Sequence, residues 1–292
     1  MDYGLVLPAM GEDASPDGIA ATAELAERHG FTDVWGTDHV LVPQAAAESY
    51  GRIYELITTL AWVAGRFRRV RVGASVLIAP MRNAVLIAKE LATLDDLSDG
   101  RLIVGLGAGW SADEFENLGM GDRFHARGAY LDETVAMLRH LWSGSREPFH
   151  GRFHQLEDFV FGPLPRQGAG LPIWIGGRSE PALQRVGRLA DAYHASATSP
   201  TSYAERIPVI RAAAEAAGRP MPRLSGRVRV ELDGPGPEGY YAMHGSPEEI
   251  AGEIRRYAEL GVTHLALAFP ELDRRGLARS IRRFATKVRP LV

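Results

Sequence analysis

The sequence predicts an α/β fold, a single (β/α)8 TIM barrel with small insertions over residues 1–292, from three observations. Eight short apolar runs alternate with helical patterns from one end of the chain to the other. A doubly wound sheet usually has fewer strands per domain than that. No low-complexity linker and no repeat of 20 to 50 residues divides the 292 residues.

The elements follow in order. YGLVLP, from Tyr3, is the first strand. Ser15 as N-cap and Pro16 at the first helical position open a helix with Ile19, Ala23 and Ala26 on one face, which Gly30 ends. TDVWG, from Thr32, is the second strand, and IYELITTLAWVAG is the next helix. RVRVGASVLIAP is the third strand, and its unbroken apolar character suits a strand covered on both faces. The helix after it buries Ile87, Leu91 and Leu94 and stops near Gly100. RLIVGLGAG is the fourth strand. Two helical patterns come next, the second carrying Leu131, Val135, Leu138 and Trp142 in one stripe before Gly144. Pro148 to Phe161 reads as a hairpin excursion. PIWIGG and DAYHAS are the fifth and sixth strands, with a helix from Ser179 to about Leu189 between them. LSGRVRVEL supplies the seventh. SPEEIAGEIRRYAELG is a helix with a capping box at Ser246 and Glu249, THLALAF is the eighth strand, and the basic helix GLARSIRRFATKV ends the chain.

Composition narrows the function. Lys and Arg total 33 against 36 Asp and Glu, a formal net charge of -3, so no overall field draws in nucleic acid or an anionic membrane, and a small-molecule partner is expected. The chain has no cysteine, which excludes disulfides, thiolate metal sites and a cysteine nucleophile and fits a reducing cytoplasm. MDYGLVLPAM is not a signal-like start, and no run of about 18 apolar residues occurs, so a soluble cytoplasmic protein is the expectation.

Barrels of this kind place their active sites at the C-terminal ends of the strands. After the second strand stand Asp38 and His39, ordinary loop residues by type. At that position, however, a histidine can exchange a proton near neutral pH while an adjacent carboxylate fixes its tautomer. Ser75 interrupts an apolar strand, so it bonds neighbouring backbone or faces a polar ligand edge. Gly107 and Gly109 would clear space for close backbone approach, and Trp110 offers a flat face. Asp113 and Glu114 begin a helix, where acids are favoured by the dipole alone. Gly176 and Gly177 with Arg178, at a strand-to-helix junction, permit a tight turn or seat a phosphate. Either Tyr193 or His194 faces the pocket. Arg66, Arg68, Arg69 and Arg71 precede the third strand and belong to the opposite face, as a solvated patch. His150 and His154 have metal-pair spacing, but the hairpin pattern around them argues against a metal.

Taken in order, GFTDVWGTDHVLVP, the stretch from GASVLIAPMRN through LDDLSDGRLIVGLGAGWSADEFENLGM, RGAYLDETVAMLRHLW and PIWIGGRSEPALQRVGRLADAY resemble the luciferase-like flavin and deazaflavin oxidoreductases. The similarity runs from Met1 to about Ser196 and more weakly through SPEEIAGEIRRYAELGVTHLAL. LDDLSDGR, GAGW and RGAYLDET are most similar to the branch that uses coenzyme F420, with FMN as the alternative cofactor. The resemblance implies hydride transfer between the deazaflavin and a small organic substrate, with Asp38 and His39 beside the ring and His39 handling the proton. It implies a cis-peptide bulge at Ser75 and Val76 supporting the ring, with Gly107, Ala108, Gly109 and Trp110 alongside. Ile175, Gly176, Gly177 and Arg178 would form the phosphate seat, and a homodimer is implied by the family's habit.

The family's common Arg-Asn-Pro element is Arg82-Asn83-Ala84 here, and Gly-Asp-Gly-Trp is Ala190-Asp191-Ala192-Tyr193. In the sugar-phosphate dehydrogenases of the superfamily an acid stands in the place of Trp110, which disfavours that substrate class. A reduced-FMN monooxygenase on the same barrel and a cofactor-binding protein without chemistry are the rival expectations. A metal-dependent hydrolase or aldolase is disfavoured, since no convergent set of histidines and carboxylates appears at the strand ends.

Overall fold

The computed structural model describes residues 1–270 and 273–292. In chain order the strands are β1 (Asp2–Val6), β2 (Asp33–Gly36), β3 (Arg71–Ala74), β4 (Leu77–Ile78), β5 (Leu102–Gly107), β6 (Phe149–His150), β7 (Gln155–Leu156), β8 (Ile173–Ile175), β9 (Ala192–Ser196), β10 (Arg223–Leu232), β11 (Ala242–Gly245) and β12 (Val262–Ala268). The helices are α1 (Pro16–His29), α2 (Ala47–Tyr50), α3 (Leu56–Arg66), α4 (Ala84–Leu97), α5 (Ala112–Asn117), α6 (Arg127–Trp142), α7 (Glu180–Leu189), α8 (Pro200–Ala216), α9 (Pro247–Glu259) and α10 (Arg274–Arg283).

Eight parallel staves close into a ring. β1 pairs with β2 and β12; β2 pairs with β3; β3, continued by β4, pairs with β5; and β5, β8, β9, β10 and β12 complete the circuit. This is the expected TIM barrel. The predicted hairpin is the antiparallel pair β6–β7, and β11 adds a short parallel strand beside the far end of β10. The apolar faces of the helices pack on the outside of the ring in one continuous core, while Trp35, Ile103, Trp174, Ala192 and Ala266 fill the interior.

Two features depart from the elements read in the sequence, and a third, the cis-peptide bulge implied by the resemblance, is present and divides the third strand. A helix, α8, stands between the sixth and seventh staves where none was placed. It carries Pro208 inside it and buries only Pro200, Tyr203, Ile210 and Ala214, so its apolar stripe is faint in the sequence. The third strand is split: after Ala74 the Ser75–Val76 peptide is cis and the chain bulges before resuming as β4. A short α2 occupies the loop after the second stave.

That bulge explains two glycines. A Cβ at Gly105 would stand 1.8 Å from the Ala74 carbonyl oxygen, and one at Gly107 would stand 2.6 Å from the Val76 side chain. These residues are bare so that β5 can pass beneath the bulge, and the room that Gly107 makes is filled by Val76 rather than by a ligand. The stripe on α6 is likewise spent within the chain: Leu131, Val135, Leu138 and Trp142 are all buried in the core, so they do not form a free dimer face.

Candidate active-site cleft

At the C-terminal ends of the staves a cleft of about 670 Å³ opens. It gathers Asp38, His39, Ser75, Val76, Gly107, Ala108, Gly109, Trp110, Gly176, Gly177 and Arg178, all from four separate strand ends. Ile175 is the exception among the expected residues: its side chain lies fully buried in the core, and the cleft wall begins at Gly176. His194 is the member of its pair that faces the cleft. Tyr193 points outward, where its hydroxyl donates to the Gly177 carbonyl and accepts from Arg206.

His39 is 6% exposed, and its Nδ1 lies 2.8 Å from a carboxylate oxygen of Glu114, which is 1% exposed. The adjacent Asp38, expected to fix the histidine's tautomer, does not do so. Its oxygens accept from the Ile78 backbone N–H and from both terminal nitrogens of Arg82, at 2.7–2.8 Å. Burial lifts the Asp38 carboxyl above its usual value. Arg82, itself pushed up by Asp38 and Glu55 against its own burial, keeps the pair ionic, since a carboxylate receiving three N–H bonds has only acceptor positions in use.

Glu114 is placed by α5, whose Ser111 N-cap accepts from the Glu114 backbone N–H. Besides His39 it accepts from the backbone N–H groups of Val40 and Leu41 at 2.6 and 3.3 Å. Burial alone would raise its pKa, but these bonds outweigh burial and hold the carboxyl below its usual value of 4.5. An ionised carboxylate only accepts, so His39 Nδ1 carries hydrogen, and in the neutral ring Nε2 is the lone-pair acceptor. In the sequence the helix dipole alone accounts for an acid at Glu114; the fold brings it across 75 residues to His39. The ring of Tyr50, from α2, lies 4.4 Å from the imidazole centroid, and Trp110, 57% exposed, lies 5.7 Å away edge-on.

The opposite wall is cationic. Arg127, Arg178, Arg185 and Arg227 line the cleft against one carboxylate, Asp38, which is already paired. Arg185 is tied to Asp132, whereas Arg127 donates to the carbonyls of Gly109 and Phe124. Beside these arginines α7 begins. Ser15, Ser111, Ser199 and Ser246 each accept a backbone N–H of the helix they cap, but Ser179, the cap of α7, makes no such bond. Pro181 has no N–H, and the N–H groups of Ala182 and Leu183 bond the Ser179 carbonyl, so what the start of α7 offers the cleft is the free Ser179 hydroxyl with the positive end of the helix behind it. Gly177 is held at φ 134°, and a Cβ there would stand 2.5 Å from the Ala182 methyl, so the backbone must approach the helix bare. Residues of this kind fit the phosphate of a flavin or deazaflavin nucleotide.

The discounted features fall where expected. Arg69 pairs with Glu27 at the N-terminal face, and His154 is held by Glu133 and Tyr130 in the hairpin. Among the described residues no cluster could hold a metal ion, and no helix is long and apolar enough to cross a membrane.

Comparison with known proteins agrees with this geometry. The chain is 27% identical to the F420-dependent glucose-6-phosphate dehydrogenase of Kineococcus radiotolerans, over 97% of this chain and 95% of the relative. It is 32% identical to the enzyme of the same name from Nakamurella multipartita, over 77% of this chain and 66% of that one. An F420-dependent secondary alcohol dehydrogenase, solved with an F420-acetone adduct, superposes with a TM-score of 0.84 at 19% identity, over 100% of this chain and 99% of the other, and so shares the fold. Residues 1–232 match the family profile described as luciferase-like monooxygenase, and the chain belongs to that family.

Proposed function

We propose that this protein is an F420-dependent oxidoreductase acting on a small organic substrate. The observation that carries the reading is the juxtaposition in one cleft of the Glu114–His39 pair with the cationic wall and the open start of α7. When bound, a deazaflavin supplies a hydride carrier that takes or gives two electrons at once. The chain supplies the rest. The Ser179 hydroxyl at the start of α7, with Gly176, Gly177 and Arg178, would hold the phosphate; the bulge at Ser75 and Val76, with Ala108 and Gly109, would support the ring; and Asp38 acts from behind by pinning Ile78 and Arg82. His39 Nε2 accepts the substrate proton in the direction of oxidation and returns it in the direction of reduction. Glu114 keeps Nδ1 as a donor throughout.

Tyr50 and Trp110 give the substrate side an aromatic wall. Because Trp110 stands where the sugar-phosphate enzymes carry an acid, the relatives' named substrate is not transferred to this chain. A chain without cysteine suits the reducing cytoplasm, and a homodimer is the proposed assembly.

The family description favours one second reading, a reduced-FMN monooxygenase. Parallel fluorescence titrations with F420 and with FMN, oxidised and reduced, separate the two. A preference for F420 of tenfold, about 1.4 kcal/mol, is the expected outcome. A preference for FMN together with oxygen consumption would replace this reading, and binding of neither would remove it.

A further inference from the structure

Beneath the cleft, side chains from five staves form one hydrogen-bonded line along the barrel axis. Ser75 Oγ is 2.9 Å from His194 Nε2, and His194 Nδ1 is 3.0 Å from Ser225 Oγ. Ser225 Oγ is 2.8 Å from His264 Nδ1, and His264 Nε2 is 2.9 Å from Asp33 Oδ1. All five residues are buried, and Ser75 and His194 line the cleft. At the far end Asp33 also accepts from the Thr32 hydroxyl and the Trp35 indole. Trp35 stacks on His194 at 4.7 Å and 17°, and Trp174 packs against both imidazoles.

Counting hydrogens leaves this line two states. Burial pushes the Asp33 carboxyl up, but His264, Thr32 and Trp35 together outweigh burial and hold it below its usual value, so it is an ionised acceptor and His264 Nε2 always carries hydrogen. If His264 is neutral, its Nδ1 accepts the one hydrogen of Ser225. Ser225 then accepts from His194 Nδ1–H, and His194 Nε2 accepts from Ser75. If His264 is doubly protonated, its Nδ1–H donates to Ser225, Ser225 donates to His194 Nδ1, and His194 Nε2–H donates to Ser75. One proton on the deepest histidine reverses every bond up to the cleft.

We propose that the barrel axis is a proton relay, in which a proton delivered to Ser75 Oγ by a bound ligand's N–H or O–H is stored on His264 beside Asp33. The step balances without electrons. Bonds to hydrogen form at Ser75 Oγ, His194 Nε2, Ser225 Oγ and His264 Nδ1, and they break at the ligand, Ser75 Oγ, His194 Nδ1 and Ser225 Oγ. Within the line only His264 gains a charge, the ligand becomes one unit more negative, and the Asp33 carboxylate faces the His264 cation. His194 passes the proton without keeping it: burial, with His264 and Arg227 adding, lowers its pKa to about 3. The other charges near the line lie at its lower end, where Arg71 interacts with Asp33, and Arg223 sits over Trp174 and pairs with Asp2. The relay rests on reading the cleft as the seat of a carrier whose protonation changes with its oxidation state, but its test does not require that carrier.

The test is ¹⁵N NMR of the ligand-free protein labelled at its histidine nitrogens, followed across pH. The expected result is a single midpoint at which His264 gains its second N–H while His194, still neutral, exchanges Nδ1–H for Nε2–H. In His264→Gln the amide donates to Asp33 and accepts from Ser225, which preserves the bonds of the neutral state but removes the proton store. There His194 is expected to hold Nδ1–H at every pH. The relay is overturned if His264 never gains a proton, if His194 keeps one tautomer while His264 titrates, if His194 becomes doubly protonated, or if its switch survives in His264→Gln. With F420 present, the variant is expected to bind as the parent does and to turn over about tenfold more slowly; unchanged turnover counts against the relay. Failure of both proteins to bind F420 counts against the proposed function alone, and the ligand-free titration still decides the relay.

Discussion

The two ends of the barrel treat their polar groups in opposite ways. At the N-terminal end the charged side chains of Arg101 and Asp95 are answered from within the chain, although the Tyr3 hydroxyl is buried without a partner. Arg101 donates to the carbonyls of Ala64, Phe67, Val70 and Ser98, and Asp95 accepts from the backbone and side chain of Gln167. At the C-terminal end strong groups are left open: His39 Nε2, the start of α7 and the guanidinium of Arg178. Arg178 and Ser179 are solvent-exposed, so they stay open to a ligand without the cost of about 1–3 kcal/mol that a buried, unpartnered polar group incurs. The gathering of open cationic and donor groups at the C-terminal end marks where a ligand completes the structure.

Substitutions at the two ends should therefore separate stability from turnover. The largest effect expected is on turnover. His39→Ala should slow it by about 100-fold or more while cofactor affinity stays nearly constant, beyond any loss of folded protein from leaving Glu114 without its partner. Steady-state kinetics beside a binding titration check this, and intact turnover would remove His39 from the chemistry. Arg101→Met is the opposite case. It strands carbonyls at the N-terminal end, and urea unfolding should show a loss of about 2 kcal/mol with turnover per folded molecule unchanged. A fall in turnover at that site would break the comparison.

Glu114→Gln sharpens it. If the amide oxygen keeps the backbone N–H groups of Val40 and Leu41, the amide nitrogen faces His39 Nδ1, so the histidine's hydrogen moves to Nε2 and the open acceptor becomes a donor. Turnover in the direction where His39 accepts the proton should fall by about tenfold. Stability should change with pH in a definite sense. The Glu114 carboxyl titrates lower in the folded chain than in the unfolded one, so its contribution is complete above the unfolded value and disappears as pH falls through the folded value. Acid unfolding of the parent should steepen over that interval, and the Gln variant should lack that component.

How much of this was visible in the sequence depends on how local the cause is. The staves, the capping box at Ser246 and the hairpin rest on periodicity and turn chemistry within a few residues, and each is present. α8 escaped because Pro208 and a weak apolar stripe hide it. At the cleft, strand ends located His39, Ser75, Trp110 and the paired glycines, since the C-terminal end of a barrel strand is a topological address. Glu114 was seen but misassigned, and Arg82 and Arg227 were not seen as site residues, because their roles come from neighbours 44 to 152 positions away. The Ser75 partner is also long-range: the bond goes to His194 across the barrel and not to nearby backbone.

The smallest expected effect isolates the open helix start from everything else. Ser246 and Ser179 occupy the same cap position, each with Pro in the first helical turn. Ser246 accepts from the Glu249 backbone N–H at 3.2 Å and has its own N–H accepted by the Glu249 carboxylate at 2.7 Å. Ser246→Ala should cost about 1 kcal/mol in urea unfolding. Ser179→Ala removes no bond made in the free protein, so its cost without ligand should be near zero. Adding phosphate-bearing cofactor should then stabilise the parent by more than it stabilises Ser179→Ala, because the hydroxyl is free to donate to the anion that the helix start awaits. Equal costs for the two alanine variants in ligand-free protein would mean that α7 is capped in solution after all, and the contrast between the two ends of the barrel would rest on His39 and Arg178 alone.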